Sequence, residues 1–271
     1  MTTPLGLATK PAQLLSGTTY TVPLRAAINV ELAHDITFPE GETPMTITQQ
    51  EIDTLVDFCN TNLGDPQLWK TPAGYPNSLA LCIIDSIFST GSHYSSVTNV
   101  VNRYRSAHGS TDGAHALLDS IRAAGGPAQW AEEVVRNVKP AHTKANAPLK
   151  AEVIEKAASM LVGFGIDTVG DFKDHVAKSP QSNPVHTAWK KLPSQSSGIT
   201  YNYMLILTGL PSVKPDRMVL RFLGTALGEH SPLTPQRAVE LITATASSLG
   251  VSPRTLDHIA WRAASGRSLS D

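Results

Sequence analysis

Residues 192–205 read LPSQSSGITYNYML, a polar turn with one glycine that leads into an apolar segment. The pattern predicts two helices joined by a tight bend. The first amides of the second helix have no partner inside it, and with the helix dipole they can bind a phosphate oxygen. The candidate contacts are Ser196, Ser197, Gly198 and Thr200. An ordinary helix–helix connection is the alternative.

The next segment, TGLPSVKPDRMVLRF at 208–222, places an aspartate beside a predicted helix start. Pro215 is expected to open this helix, since proline fits the first turn. Asp216 is then either a carboxylate that the helix dipole stabilises or a functional acid. Lys214 and Arg217 flank it and are candidates for phosphate binding or for ordinary solvated cations.

Most of the remaining chain also shows helical signals. Thr48 and Glu51 form a capping box, and residues 77–104 predict two helices interrupted at 90–92. Thr111 is expected to cap a later helix. Periodicity and start signals predict helices at 111–126, 127–138, 148–162, 184–191 and 199–207, and from 168, 215, 234 and 252 onward. The fold class is therefore all-α, with a first lobe at 46–140 and a second at 141–271.

The first 45 residues differ from the rest of the chain. They contain scattered prolines and a run at 18–30 that favours β structure, without helical periodicity. The sequence predicts an irregular or β-containing N-terminal arm there.

Charge is distributed unevenly along the chain. The net charge is −1, which argues against a surface covered with nucleic-acid contacts. Residues 1–140 nevertheless hold 8 Lys and Arg against 13 Asp and Glu, whereas residues 141–271 hold 14 against 10. A phosphate-facing surface is therefore expected in the second half.

Cysteine, metal and membrane signals are weak. Cys59 and Cys82 lie far apart, without His or Cys partners at metal-ligand spacing, and are expected to be reduced core thiols. No metal or cofactor is predicted. No apolar run approaches the roughly 20 residues of a membrane span, so we expect a cytoplasmic protein, nucleoid-associated in a bacterium.

The segments quoted above resemble the helix-hairpin-helix DNA glycosylase superfamily, which includes endonuclease III. In that family a hairpin is followed, sixteen to twenty residues on, by an aspartate at a helix start, and here 18 positions separate Gly198 from Asp216. Further similar stretches are YPNSLA at 75–80, PLKAE at 148–152 and LDHIAW at 256–261. The resemblance covers residues 70–265 and implies a two-lobed helical bundle.

The resemblance also implies a chemistry. Asp216 would stabilise the positive charge that develops on the sugar when an N-glycosidic bond breaks, and duplex DNA with a damaged or modified base would be the partner. Thr200 occupies the place of the nucleophilic lysine, so no lyase step is expected, and the four cysteines of an iron–sulfur cluster are missing. Expected pocket or wedge residues are Tyr75, Thr90, His93, Tyr94, Tyr201 and Tyr203.

The sequence therefore predicts a monofunctional DNA glycosylase. Two alternatives remain. One is a non-catalytic DNA-binding or partner-binding protein on the same fold, favoured by Ser196 in the place of the first hairpin glycine and by the near-neutral charge. The other is an interaction domain that binds no nucleic acid.

Overall fold

The computed structural model describes residues 47–228 and 233–269, and this part of the chain is all-helical. The predicted arm at 1–45 lies outside the described residues. A short 3-10 helix at Pro66–Leu68 and an isolated bridge between Pro140 and Leu149 accompany the α-helices. The α-helices of the described part are α1 (Gln49–Asn62), α2 (Leu79–Phe88), α3 (Tyr94–His108), α4 (Ala114–Ala123), α5 (Pro127–Glu133), α6 (Lys150–Gly163), α7 (Val169–Val176), α8 (Pro184–Lys190), α9 (Ile199–Thr208), α10 (Arg217–Leu227), α11 (Pro235–Ser248) and α12 (Pro253–Ala264).

Several helix starts follow directly from local side-chain chemistry. Thr48 caps α1 in a complete capping box with Glu51. Thr234 and Ser252 cap α11 and α12, and each precedes a proline in the first turn. In each case the hydroxyl accepts a hydrogen bond from a backbone amide that has no partner within the helix. These predicted starts are confirmed.

Other predicted boundaries were wrong. The N-cap of α4 is Gly113, whose extended backbone leads into the helix two residues after Thr111. Helix α5 ends at Glu133, five residues before the expected position. Helix α10 begins at Arg217, and Asp216 is its N-cap, so Pro215 lies just before the helix rather than in its first turn.

A first hydrophobic core, which we call core 1, extends from α2 to α9. Helix α2 lies at its centre, and every residue from Leu79 to Phe88 is buried. Such an apolar helix must be surrounded by other helices, and α2 packs against α3, α4, α6 and α9. Trp130 and Trp189 are fully buried members of this core.

A second hydrophobic core, core 2, combines α1 with the three C-terminal helices. Phe58 of α1 packs edge-on against Phe222 of α10, with ring centroids 5.6 Å apart. Glu51 of α1 forms an ion pair with Arg237 of α11. The predicted boundary at 140/141 differs from this division, because core 1 continues to Leu207 and core 2 takes in the N-terminal helix.

Two segments connect the cores. Residues 64–78 run from α1 to α2, and residues 209–216, which we call the crossing segment, run from α9 to Asp216 at the start of α10. Both cysteines are buried and free, Cys59 in core 2 and Cys82 in core 1, as predicted. Among the described helices, none has the length and apolar character needed to cross a bilayer.

Candidate active site

A cleft of about 1340 Å³ is lined by residues of both cores. Cations outnumber carboxylates in its lining, which therefore favours an anionic ligand. The cations come from both halves of the sequence, whereas the charge distribution predicted them in the second half. The lining cations are Lys70, Arg105, Lys139, Lys214, Arg217, Arg262 and Arg267, and the lining carboxylates are Asp85, Asp216 and Asp257.

Asp216 faces this cleft from the N-terminus of α10. Its Oδ1 accepts the amides of Met218 at 2.8 Å and Val219 at 3.3 Å, which fixes the side chain as the helix cap. Its Oδ2 lies 3.8 Å from the ammonium nitrogen of Lys214. The side chain is 23% exposed, so the carboxylate is anchored at one oxygen and accessible from the cleft.

Lys214 connects the two cores beside this carboxylate. Its Nζ lies 3.8 Å from the ring centroid of Tyr203 on α9, a cation–π contact. Its backbone amide donates a 2.8 Å hydrogen bond to Oδ1 of Asp257 on α12. The side chain is only 12% exposed, so the charge of Lys214 is fixed within the cleft wall next to Asp216.

Asp257 is a second carboxyl group in the cleft wall, with 6% of its surface exposed. Burial raises the pKa of Asp257 to about 8, and the negative charge of Asp216 acts in the same direction. The amide and the ammonium charge of Lys214 oppose this shift in the pKa without cancelling it. Asp257 therefore carries a proton at neutral pH.

A third carboxyl group, Asp85 of α2, lies at the base of the cleft between two tyrosines. The hydroxyl of Tyr75 donates a 2.7 Å hydrogen bond to its Oδ2. Burial raises the pKa of Asp85, while hydrogen bonds from Tyr75 and Tyr203 and the charge of Lys214 offset part of the shift. Tyr75 and Tyr203 therefore line the cleft together with a hydrogen-bonding acid.

The loop between α2 and α3 borders the cleft with Thr90 and His93, both exposed. A buried lysine holds this loop from inside: Lys150 at the start of α6 donates hydrogen bonds to Ile87, Phe88 and Thr90. Burial lowers the pKa of Lys150 to about 7, and the charges of Lys139 and Lys214 act in the same direction. The loop is thus fixed from beneath while its outer side chains face solvent.

Tyr94 at the start of α3 reaches across to core 2. Its ring lies 5.5 Å from that of Trp261 on α12, and the guanidinium of Arg267 lies 4.3 Å from the Tyr94 centroid. Tyr94 is 54% exposed. The two cores therefore meet through an aromatic contact at the cleft.

The hairpin forms as two helices and a tight bend. Gly198, with φ of +73°, occupies the left-handed region that favours glycine at this N-cap. Ser196 and Ser197 are exposed, and Oγ of Ser197 accepts the amide of Ile199 at 3.4 Å. Ile199 lines the cleft, so the start of α9 adjoins it.

Two predicted site residues lie in core 1 instead. The Thr200 hydroxyl accepts a 2.9 Å hydrogen bond from the Trp189 indole and donates one to the Gln195 side chain. Tyr201 is fully buried, and its hydroxyl accepts a hydrogen bond from Asn183. Their side chains face the protein interior, and neither residue lines the cleft.

Comparison with known protein families gave one match. A family model described as a domain of unknown function, DUF8548, matches residues 53–265, which is most of the chain. The chain belongs to the DUF8548 family. Searches of curated proteins and of solved structures found no significant match.

In this DUF8548 chain the matched range contains the whole cleft apart from Arg267. Of the sequence-predicted residues, the cleft brings together Tyr75, Thr90, His93, Tyr94, Tyr203, Lys214, Asp216 and Arg217. Sequence reasoning missed Asp85, Asp257 and Lys150. The signal for Asp85 and Lys150 was a charged residue within an apolar helical pattern. Among residues 47–228 and 233–269, no group of three or more His, Cys, Asp or Glu is placed to hold a metal ion.

Proposed function

We propose that this protein is a monofunctional DNA glycosylase with the two-lobed fold of the helix-hairpin-helix superfamily. It hydrolyses the N-glycosidic bond of a damaged or modified base that has been flipped out of duplex DNA. The observation that carries the proposal is the position of Asp216, an accessible carboxylate in a cleft whose lining is rich in cations.

The chemistry fits a carboxylate held in this way. Breaking an N-glycosidic bond generates positive charge on the sugar, and a fixed carboxylate stabilises that charge in the transition state. The two amide bonds to Oδ1 fix the orientation of Asp216 before substrate arrives, so little reorganisation is needed. Asp216 also orients the attacking water or accepts its proton.

The DNA backbone is bound by the cations around the cleft. Arg217 is exposed beside Asp216, and Lys139 lies near the loop after α2. Each phosphate contact releases counterions from DNA, so binding weakens as salt increases. The hairpin at Ser196–Gly198 adds a further phosphate contact next to Ile199 at the edge of the cleft.

The flipped base enters between Tyr75 and Tyr203. Aromatic rings stack on a base whatever its sequence, and Asp85 between them offers a hydrogen-bond acceptor for a base N–H group. The residues that border the cleft beside the gap left in the duplex by the flipped base are then Thr90, His93 and Tyr94.

One observation favours a second candidate function, a DNA-binding protein without catalysis on the same fold. The two amides of α10 and the ammonium group of Lys214 together satisfy the carboxylate of Asp216 without any substrate. In that case Asp216 is a structural cap and the cleft binds DNA only.

The test compares two identical substitutions at helix N-caps. Asp216→Asn keeps the cap acceptor, since asparagine caps as well as aspartate, and removes the negative charge. Asp65→Asn makes the same change at an exposed cap outside the cleft lining. Base release is measured on a panel of duplexes that each contain one deaminated, oxidised or alkylated base.

We expect base release from at least one duplex by the wild-type protein and by Asp65→Asn. Asp216→Asn should still bind that duplex but lose activity by about 100-fold or more, as expected for a key electrostatic group. Salt-sensitive DNA binding without base release from any duplex would support the non-catalytic alternative. Absence of DNA binding would overturn both.

A further inference from the structure

The buried carboxyl group of Asp257 is connected to Asp216 through the backbone of one residue, Lys214. Oδ1 of Asp257 accepts the Lys214 amide at 2.8 Å, and the Lys214 carbonyl accepts the Asp216 amide at 2.6 Å. The amide of Lys214 is therefore bound by Asp257 of α12, and the carbonyl of Lys214 in turn binds the amide of Asp216. A shift of the Lys214 backbone would therefore move Asp216.

The crossing segment needs such an anchor because it leaves one core and enters the other. Gly209 and Leu210 still bond to the last turn of α9, but residues 211–216 have no regular secondary structure, so no helical hydrogen bonds fix them. The Lys214 side chain rests on Tyr203 of core 1, whereas its amide is bound by Asp257 of core 2. Two side chains of α12 thus bind the backbone of the segment: Arg254 donates a 3.2 Å hydrogen bond to the Gly209 carbonyl at its start, and Asp257 accepts the Lys214 amide close to Asp216.

A neutral acceptor would satisfy the Lys214 amide equally well. Burying a carboxyl group costs free energy, and placing it near a second carboxylate adds repulsion. Burial favours the protonated form of a carboxyl group. Asp257, 6% exposed, is the more deeply buried of the two, whereas 23% of the Asp216 side chain is exposed.

We propose that Asp257 is a positioning residue, which holds Asp216 in the cleft through the backbone of Lys214 and, while it keeps its own proton, adds no second negative charge beside Asp216. This inference rests on the proposed function for its effect on base release. The geometric part, the dependence of Asp216 placement on Asp257, stands on the hydrogen bonds alone.

The surroundings of Asp257 define a pH limit. The charged groups that act on it are Asp216 and Lys214 of the crossing segment, and Tyr203 of α9 is affected by its charge in turn. From α12 itself, His258 and Arg254 are its neighbours along the chain, and Arg237 of α11 is paired with Glu51. Since burial raises the pKa of Asp257 to about 8, a second negative charge appears beside Asp216 above that pH.

Two substitutions separate the hydrogen bond from the proton. Asp257→Asn keeps an oxygen acceptor for the Lys214 amide and cannot ionise. Asp257→Ala removes the acceptor and leaves the amide without its partner. The full-length wild-type protein and both variants are compared by ¹⁵N amide NMR, which follows Asp216 and also Met218, whose amide binds the Asp216 carboxylate. The pH profile of base release is measured in parallel.

We expect the Asp216 and Met218 amide resonances of Asp257→Asn to match the wild type at pH 7, and those of Asp257→Ala to shift. Base release by Asp257→Ala should fall by about 100-fold, the size of effect that a small displacement of a reacting group produces. Asp257→Asn should keep its activity at pH 7 and lack the decline that the wild type shows above pH 8.

Unchanged Asp216 and Met218 resonances in a folded Asp257→Ala protein would overturn the positioning role. A decline above pH 8 that persists in Asp257→Asn would overturn the role of the proton. If the proposed function is wrong, the wild type releases no base. The NMR comparison still shows in that case whether Asp257 positions Asp216, so the two failures can be told apart.

Discussion

The ammonium group of Lys150 donates a 3.0 Å hydrogen bond to the carbonyl oxygen of Phe88, the last residue of α2. The final carbonyls of a helix have no partner within it, and a cation at this end also interacts favourably with the helix dipole. Lys150 therefore ends the central helix of core 1 and fixes the start of the loop that borders the cleft.

Lys150→Met should lower the free energy of unfolding by about 2–4 kcal/mol, because several buried carbonyls lose their donor. The substitution also removes the cost of burying an amine, but we expect the loss of the hydrogen bonds to be larger. The matched control is Lys156→Met on the exposed face of the same helix, where we expect a change within about 0.5 kcal/mol. Urea unfolding followed by circular dichroism measures both. Equal changes in the two variants would contradict the anchoring role.

Asp257 should make stability depend on pH. Burial raises its pKa from an ordinary value of 3.8 to about 8 in the folded protein, so between these values the folded state holds a proton that the unfolded state has lost. Its stabilising contribution is complete below pH 4 and is lost as pH rises to 8, by on the order of 5 kcal/mol. Asp257→Asn has no carboxyl group to ionise and therefore lacks this loss. From pH 4 to pH 8 the variant should become progressively more stable relative to the wild type. A pH-independent difference would show that the carboxyl group ionises normally.

Arg217 should contribute to DNA binding through charge alone. Arg217→Ala is expected to weaken binding similarly for all duplexes and to reduce the slope of log affinity against log salt by about 1. Arg122→Ala removes a cation that is paired with Asp119 on α4, outside the cleft lining, and should leave the slope unchanged. Fluorescence anisotropy at several salt concentrations gives both slopes. Equal slopes for all three proteins would exclude Arg217 from the proposed DNA-binding surface.

Thr200 should act on stability and not on DNA binding. Thr200→Val leaves the buried Trp189 indole and the Gln195 side chain without their partner, and should lower the free energy of unfolding by about 1–3 kcal/mol. Thr54→Val, at an exposed position of α1, makes the same change without that loss. The salt dependence of DNA binding should stay at the wild-type value in both variants. A lower slope in Thr200→Val would instead place this residue in the proposed phosphate-binding hairpin.

The local signals in the sequence predicted most of the helices. Thr48 with Glu51, Thr234 before Pro235 and Ser252 act within one turn of chain, so their effect does not depend on tertiary packing. The break between α2 and α3 was predicted for the same reason. Boundaries failed where two local signals competed, as at Pro215 and Asp216, because the proline can begin a helix but the aspartate side chain can cap one.

The sequence by itself determined the all-helical class, most helix starts, the hairpin and the candidate acid Asp216. Only the tertiary structure decided how the helices divide between two cores and which face of each helix meets the cleft. Thr200 and Tyr201 turn inward, whereas Tyr203, two residues further along the same helix, reaches the cleft. The physical reason is that helix starts depend on hydrogen bonds between residues a few positions apart. Which face of a helix is buried depends instead on packing against segments that are distant in the sequence. Asp85 and Asp257 also lie far from Asp216 in the sequence, and only folding brings the three carboxyl groups to one cleft.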